Sequence, residues 1–218
     1  MKTCILFCAG EFDRLIKAIG NEDYVIAADG GVLHTQKLNV RPNAVLGDFD
    51  SLGYIPEGAN VFPVEKDDTD SMLAIRQGLA LGYRSFLIYG GLDGPRLDHT
   101  VANFQTLHFL ADQGGFGILV GKNCMAAVIR NGSLSFPEGL EGTVSVFCSG
   151  ADAQGVDLEG LYYPLSNGTL SAGFPLGVSN HFTKKAACIR VREGSLLVLW
   201  DRSCGLPRWA ECCAEEMM

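Results

Sequence analysis

Four short apolar runs in the first half of the chain each end in an acidic or glycine-rich loop. Tyr24-Val25-Ile26-Ala27-Ala28 runs into Asp29-Gly30-Gly31, and Ala44-Val45-Leu46 into Gly47-Asp48-Phe49-Asp50-Ser51. Residues 60–64 lead to Glu65-Lys66-Asp67-Asp68-Thr69-Asp70, and Ser85-Phe86-Leu87-Ile88-Tyr89 to Gly90-Gly91 and the stretch up to Asp98. Continuous apolar runs of this length suit buried strands of a parallel sheet. Ligands of open α/β sheets bind outside the carboxyl ends of the strands. One polar strand end means little, but four in succession define an edge.

Helical patterns separate these strands. Phe12, Leu15, Ile16 and Ile19 predict an amphipathic helix over 11–19, directly after the apolar run Cys4–Ala9. Shorter or stronger helices are expected at 32–37, about 69–81 and about 98–111. Near residue 122 the character changes. Short strand-like segments follow at about 125–130, 134–136, 143–148, 153–158, 160–165, 177–182, 187–191 and 195–200. Turn residues such as Asn131-Gly132 and Ser166-Asn167-Gly168 punctuate them, and a helical turn is expected in the tail beyond Asp201. The expected fold class is α/β: a mainly parallel, Rossmann-like α/β domain over 1–122, then an all-β sandwich over 123–218.

Composition narrows the function classes. A net charge of −8 argues against a nucleic-acid partner, which calls for a basic face. No apolar run is long enough to span a membrane. The eight cysteines form no C-x-x-C pair, so neither zinc spacing nor a disulfide framework is indicated. With no signal peptide recognised, reduced thiols and a cytoplasmic protein are expected. There is no G-x-x-x-x-G-K-[ST] loop, no G-x-G-x-x-G after the first strand and no G-x-S-x-G elbow.

Two carboxylates one residue apart on a loop leaving a buried strand suit Mg²⁺, a hard cation held by one or two carboxylates plus substrate phosphates. Asp29-Gly30-Gly31 reads equally as a tight turn entering a helix or as a place where a nucleotide approaches backbone N–H groups. Either Asp67 or Asp68 reads as the cap of the helix beginning near Thr69. Capping does not account for three carboxylates in four positions, which repel unless cations intervene. Asp98 reads as well as an N-cap as it does a site residue. Arg96 has the planar fork that suits phosphate oxygens. His99 and Asn103 each face either solvent or a ligand. Phe49, between the two carboxylates, is expected to point back into the core and lock the loop.

The ordered set Asp29-Gly30-Gly31, Gly47-Asp48-Phe49-Asp50-Ser51, Lys66-Asp67-Asp68-Thr69-Asp70 and Arg96-Leu97-Asp98-His99-Thr100-Val101-Ala102-Asn103 resembles the thiamine pyrophosphokinase family. In the second half, Gly160-Leu161-Tyr162-Tyr163-Pro164-Leu165 and Gly177-Val178-Ser179-Asn180-His181-Phe182 are similar to that family's second domain. One departure is Asp93-Gly94-Pro95-Arg96, where the family usually has Gly-Gly-Arg.

The resemblance implies transfer of a pyrophosphoryl group from ATP to the hydroxyl of thiamine, by a Mg²⁺-dependent homodimer. It implies Asp48, Asp50 and Asp70 as metal ligands. Asp29, Gly30, Gly31, Lys66, Asp67, Arg96, His99 and Asn103 would contact ATP, and Asp98, Ser179 and Asn180 thiamine. Arg96 and Asp98 are then expected to join the three metal ligands as catalytic groups. Two rivals carry weight: another Mg²⁺-dependent nucleotide enzyme, such as a glycosyltransferase, and a non-catalytic thiamine or nucleotide sensor.

Overall fold

A computed structural model describes residues 2–50, 52–63, 65 and 67–211. The chain is a mixed α/β protein that divides into two compact units, with the break between Lys122 and Asn123.

In the first unit the order is β1 (Cys4–Phe7), β2 (Tyr24–Ala28), α1 (Gly31–Lys37), β3 (Ala44–Gly47), β4 (Asn60–Val61), α2 (Asp70–Ala80), β5 (Ser85–Tyr89), α3 (Leu97–Asp112) and β6 (Phe116–Val120). The strands lie in the order β6-β5-β1-β2-β3-β4, and every pairing among them is parallel. β1 and β6 are buried along their whole length, and β5 nearly so. That is why these strands read as continuous apolar runs. The chain steps outward from β1 through β2, β3 and β4, then crosses back to place β5 on the other side of β1. Open parallel sheets bind ligands at the strand ends beside such a reversal.

Three expectations need correction. Residues 11–19 form no helix. Glu11 bridges antiparallel to Asp93, and the Phe12 ring meets Phe7, His34 and Tyr89 edge-on. The Ile16 N–H donates to the Tyr89 hydroxyl at 3.2 Å. These contacts hold the segment open and half-bury its four apolar residues without a helix, so tertiary contacts override the local period. The fourth strand is only Asn60–Val61, and Pro63 follows it with no N–H to offer a ladder. The cap of α2 is neither Asp67 nor Asp68. It is Thr69, whose hydroxyl accepts from the Met72 N–H at 3.2 Å. Asp68 instead pairs with Arg76 at 3.0 Å, and that guanidinium lies 4.6 Å from the centre of the Phe109 ring.

The second unit contains β7 (Cys124–Arg130), β8 (Gly132–Phe136), β9 (Thr143–Cys148), β10 (Ala153–Glu159), β11 (Leu165–Leu170), β12 (Asn180–His181), β13 (Ala187–Arg190), β14 (Ser195–Asp201) and β15 (Arg208–Glu211), with a 3-10 turn at Arg202–Cys204. Two antiparallel groups result, β12-β9-β14-β7 and β11-β10-β13-β8-β15. Burial alternates along β8, β13 and β14, as one-faced strands require. Phe136 of one group packs on Trp200 of the other at 5.7 Å between ring centres. The strand expected at 160–165 lies instead at 165–170, straight through Ser166-Asn167-Gly168. Asn167 takes a positive φ there, and its N–H donates to Asp157 at 2.7 Å. The turn chemistry was real, but it serves a bulged strand pair rather than a loop. Among the described residues no helix is long and apolar enough to cross a membrane.

Candidate active site

Parallel pairing puts the carboxyl ends of all six strands of the first unit on one edge. Adjacent strands therefore present adjacent loops, and β2 lies beside β3. The Asp29 N–H donates to the Leu46 carbonyl at 2.8 Å. Gly47 makes this approach possible: a Cβ there would lie 3.0 Å from both N and Cα of Asp29. On the other side, a Cβ on Gly31 would lie 1.9 Å from the Phe7 carbonyl oxygen, so α1 can start against the end of β1 only with glycine.

The result is a group of three carboxylates. Asp29, Asp48 and Asp50 each offer an oxygen, and these lie within 4.8 Å of one another. Asp29 and Asp48 are half-buried and Asp50 is exposed. Like charges so close repel, and a divalent cation would relieve the repulsion. The donors are all hard oxygens, the set that Mg²⁺ prefers. Sequence reasoning placed Asp29 at the nucleotide and missed it as a carboxylate partner of Asp48 and Asp50. Only the β2–β3 adjacency reveals that.

The loop carrying Asp48 and Asp50 is held in an unusual backbone. Phe49 has φ of +58° and Asp29 +45°, both in the left-handed region that bulky side chains avoid. The Phe49 ring is 3% exposed, so burial holds what the backbone would otherwise resist. The Asp50 N–H donates back to the Asp48 carboxylate at 3.3 Å. Phe49 thus anchors the loop from below, while the two carboxylates flanking it are directed outward.

The structure does not bring every expected residue into this group. Asp70, the first residue of α2, is not one of the three. It lies near Cys8, whose thiol is pushed up to about 12 by burial and, after that, by the Asp70 carboxylate. Asp67 is exposed, and Lys66 lies outside the described residues. Arg96 and Asp98 face each other, with Nε–Oδ1 at 3.2 Å and an Nη–Oδ2 contact at 2.6 Å. The hydrogen bond from Arg96 is the leading cause that holds Asp98 below the usual carboxylate range. The N-cap position of α3 falls to Arg96 and not to Asp98, which sits in the first turn beside the exposed His99. Asn103 is 7% exposed, with its amide hydrogen-bonded to Gly91 and Ser71.

In the second unit Ser179 is exposed with φ of +56°, and its N–H donates to the Ser145 hydroxyl at 3.0 Å. Asn180 is 2% exposed. Its Oδ1 accepts from the Tyr163 N–H at 2.9 Å and its Nδ2 donates to the Tyr163 carbonyl at 2.7 Å. The amide therefore clips the Tyr162-Tyr163 turn, whose rings meet edge-on at 4.9 Å and are largely exposed.

Residues 15–115 match the family model "Thiamin pyrophosphokinase, catalytic domain", and residues 133–196 match "Thiamin pyrophosphokinase, vitamin B1 binding domain". The chain belongs to the thiamin pyrophosphokinase family. A thiamine pyrophosphokinase of Bacillus subtilis is 25% identical over 218 residues, covering 91% of this chain and 98% of that one. The crystal structure of thiamine pyrophosphokinase from Bacillus subtilis superposes with a TM-score of 0.81 at 23% identity, covering 92% of this chain and 99% of that chain. That of thiamin pyrophosphokinase from Geobacillus thermodenitrificans gives 0.75 at 24% identity, covering 92% and 97%. At these identities the two structural likenesses speak for the fold. Membership in the thiamin pyrophosphokinase family rests on the two matched models, which together span most of the chain.

Proposed function

We propose that this protein transfers the pyrophosphoryl group of ATP to the hydroxyl of thiamine, giving thiamine diphosphate and AMP. The observation that carries the reading is the pairing of one chain's two matches, catalytic and vitamin B1-binding, with a three-carboxylate group at the strand ends of the first. In this transfer the thiamine oxygen bonds to the β-phosphorus, the bond from that phosphorus to the α-phosphate bridging oxygen breaks, AMP leaves and the hydroxyl proton is released. Such chemistry is mostly positioning and charge stabilisation.

Asp29, Asp48 and Asp50 would hold Mg²⁺, with Asp70 at the neighbouring strand end as a further ligand, direct or through water. Mg²⁺ there supplies positive charge against the polyphosphate. Asp29, Gly30 and Gly31 border the nucleotide, and Asp67, Lys66 and His99 contact it. Arg96 meets the transferring group. Asp98, held ionised by Arg96, is a weak base; its role is to orient the thiamine hydroxyl and leave Arg96 poised beside it. Ser179 presents its hydroxyl to thiamine. Asn180 acts one step behind, by fixing the Tyr163 backbone.

The finer fold reading is a Rossmann-like nucleotide domain over 1–122, followed by a thiamine-binding β-sandwich over 123–218. The β1/β5 reversal and the two antiparallel groups sharing Phe136 and Trp200 support it. A homodimer and a cytoplasmic location belong to the same proposal and rest on the family resemblance and on the absence of a cysteine framework. The test is incubation of the purified protein with ATP, Mg²⁺ and thiamine. AMP and thiamine diphosphate should appear in equal amounts. ADP as the nucleotide product, or binding of thiamine without turnover, would overturn the reading.

A further inference from the structure

A chain of hydrogen bonds runs behind Asp70 through residues with no evident chemical task. The Thr69 hydroxyl caps α2 and lies 3.1 Å from the Ser71 hydroxyl. Ser71 in turn donates to Asn103 Oδ1 at 2.7 Å. The other end of that amide, Nδ2, donates to the Gly91 carbonyl at 2.8 Å. One turn earlier on α3, the Thr100 hydroxyl donates to the Leu92 carbonyl at 3.2 Å. Thr69 and Ser71 are the two neighbours of Asp70, so the chain grips the start of α2 on both sides of that carboxylate. At its far end it grips the turn after β5, which leads to Arg96.

An amide is the side chain this junction needs. It must accept at one end and donate at the other, and Asn does both in fixed geometry. These two bonds take one acceptor site and one donor site of a side chain that is 7% exposed. A Cβ on Gly91 would fall 3.2 Å from Asn103 Nδ2 and 2.7 Å from a Leu119 methyl, so the turn and the amide are fitted to each other.

We infer that Asn103 is a positioning residue, not a nucleotide contact: through Ser71 it sets the place of Asp70, and through Gly91 it sets the loop that carries Arg96. This deepens the proposed function and rests on it, since Asp70 and Arg96 matter only if the strand-end edge handles Mg²⁺ and phosphate. Groups behind a metal ligand typically change affinity or activity by about 10- to 100-fold when removed.

The test compares Ser71→Ala, Asn103→Ala and the double variant by steady-state AMP formation and by amide hydrogen exchange. Asn103→Ala should lower kcat by about tenfold or more with the thiamine KM unchanged. Ser71→Ala should lower it less, and the double variant should equal Asn103→Ala, because both sever one chain. Exchange in the first turn of α2 should rise in both single variants, and exchange at residues 91–92 only in Asn103→Ala. Ser71→Thr, which keeps the hydroxyl, should restore the α2 protection. Should Asn103→Ala fail to fold, Ser71→Ala retains the Gly91 bond, and its exchange profile decides alone. An additive double variant, or unchanged α2 exchange in Ser71→Ala, would overturn the inference. A raised ATP KM confined to Asn103→Ala would restore the direct contact. If the wild-type protein makes no AMP, the functional reading falls, while the exchange data still decide the clamp.

Discussion

Asp29, Asp48 and Asp50 turn their carboxylates toward one another, whereas Asn180 in the second unit turns its amide back onto the Tyr163 backbone. Both places use left-handed residues, Asp29 and Phe49 in the first and Ser179 in the second. The outcomes differ. In the first unit a buried apolar ring holds a loop so that the carboxylates on either side of it meet a third one. In the second a buried polar group holds a loop so that two aromatic rings remain outside. The first arrangement suits a cation and phosphates. The second offers ring faces, which suit a flat or cationic organic ligand. A polar residue in a motif is therefore no guide to whether it touches the ligand or supports what does.

The sharpest break of this contrast is at the carboxylates. Asp48→Asn or Asp50→Asn should cut AMP formation by on the order of a hundredfold or more, since charge stabilisation carries the reaction. Circular dichroism should be unchanged. Wild-type activity with Mg²⁺ in either variant would remove the group from the metal site. Next comes the ring beneath them. Phe49→Ala should cost about 3 kcal/mol of stability, read by chemical denaturation, and should also weaken Mg²⁺ binding. If Mg²⁺ affinity were untouched, the ring would be packing only.

In the second unit the two neighbours should separate. Asn180→Ala removes both hydrogen bonds that a buried amide makes to the Tyr163 backbone and should cost about 1–3 kcal/mol. Ser179→Ala, at an exposed site, should change stability by less than about 0.5 kcal/mol while raising the thiamine KM. An unchanged KM would take Ser179 out of the thiamine site.

The smallest effect on stability concerns the ion pair of Arg96 and Asp98. With Arg96→Gln, the Asp98 pKa should rise toward the ordinary carboxylate value, measurable by NMR titration of its carboxyl carbon. Because the folded-state pKa is lowered, the pair adds stability above the ordinary Asp pKa and loses it as pH falls through the lowered one. Both groups are exposed, so solvent screening keeps that contribution slight.

Much of this was legible before any coordinates. β2 and β5 fall where the apolar runs stand, and α2 and α3 within a residue or so of their expected ends. Strong period and flanking glycine or acid account for that success. The failures have physical causes. Phe12, Leu15, Ile16 and Ile19 carry a helical spacing, but Phe12 packs on Phe7, His34 and Tyr89 and the Ile16 N–H bonds to Tyr89; His34 and Tyr89 are far away in the sequence. Ser166-Asn167-Gly168 carries turn chemistry, and a β-bulge satisfies it as well as a loop does. The tail strand Arg208–Glu211 has no distinctive pattern and exists because β8 offers it an edge.

The sequence by itself determined which residue types crowd the strand ends, and therefore the class of chemistry those ends can support. It also raised the expectation that Phe49 goes inward, and the 3% exposure of that ring bears it out. Tertiary structure alone decided which carboxylates meet. Asp29 joins Asp48 and Asp50 because β2 and β3 are neighbours in a parallel sheet, and strand order is a property of the whole fold. It also set the partners of two amides, Ser71 and the Gly91 carbonyl for Asn103 and the Tyr163 backbone for Asn180. An amide shows four hydrogen-bonding sites to whatever surrounds it, and only the surroundings say which are taken.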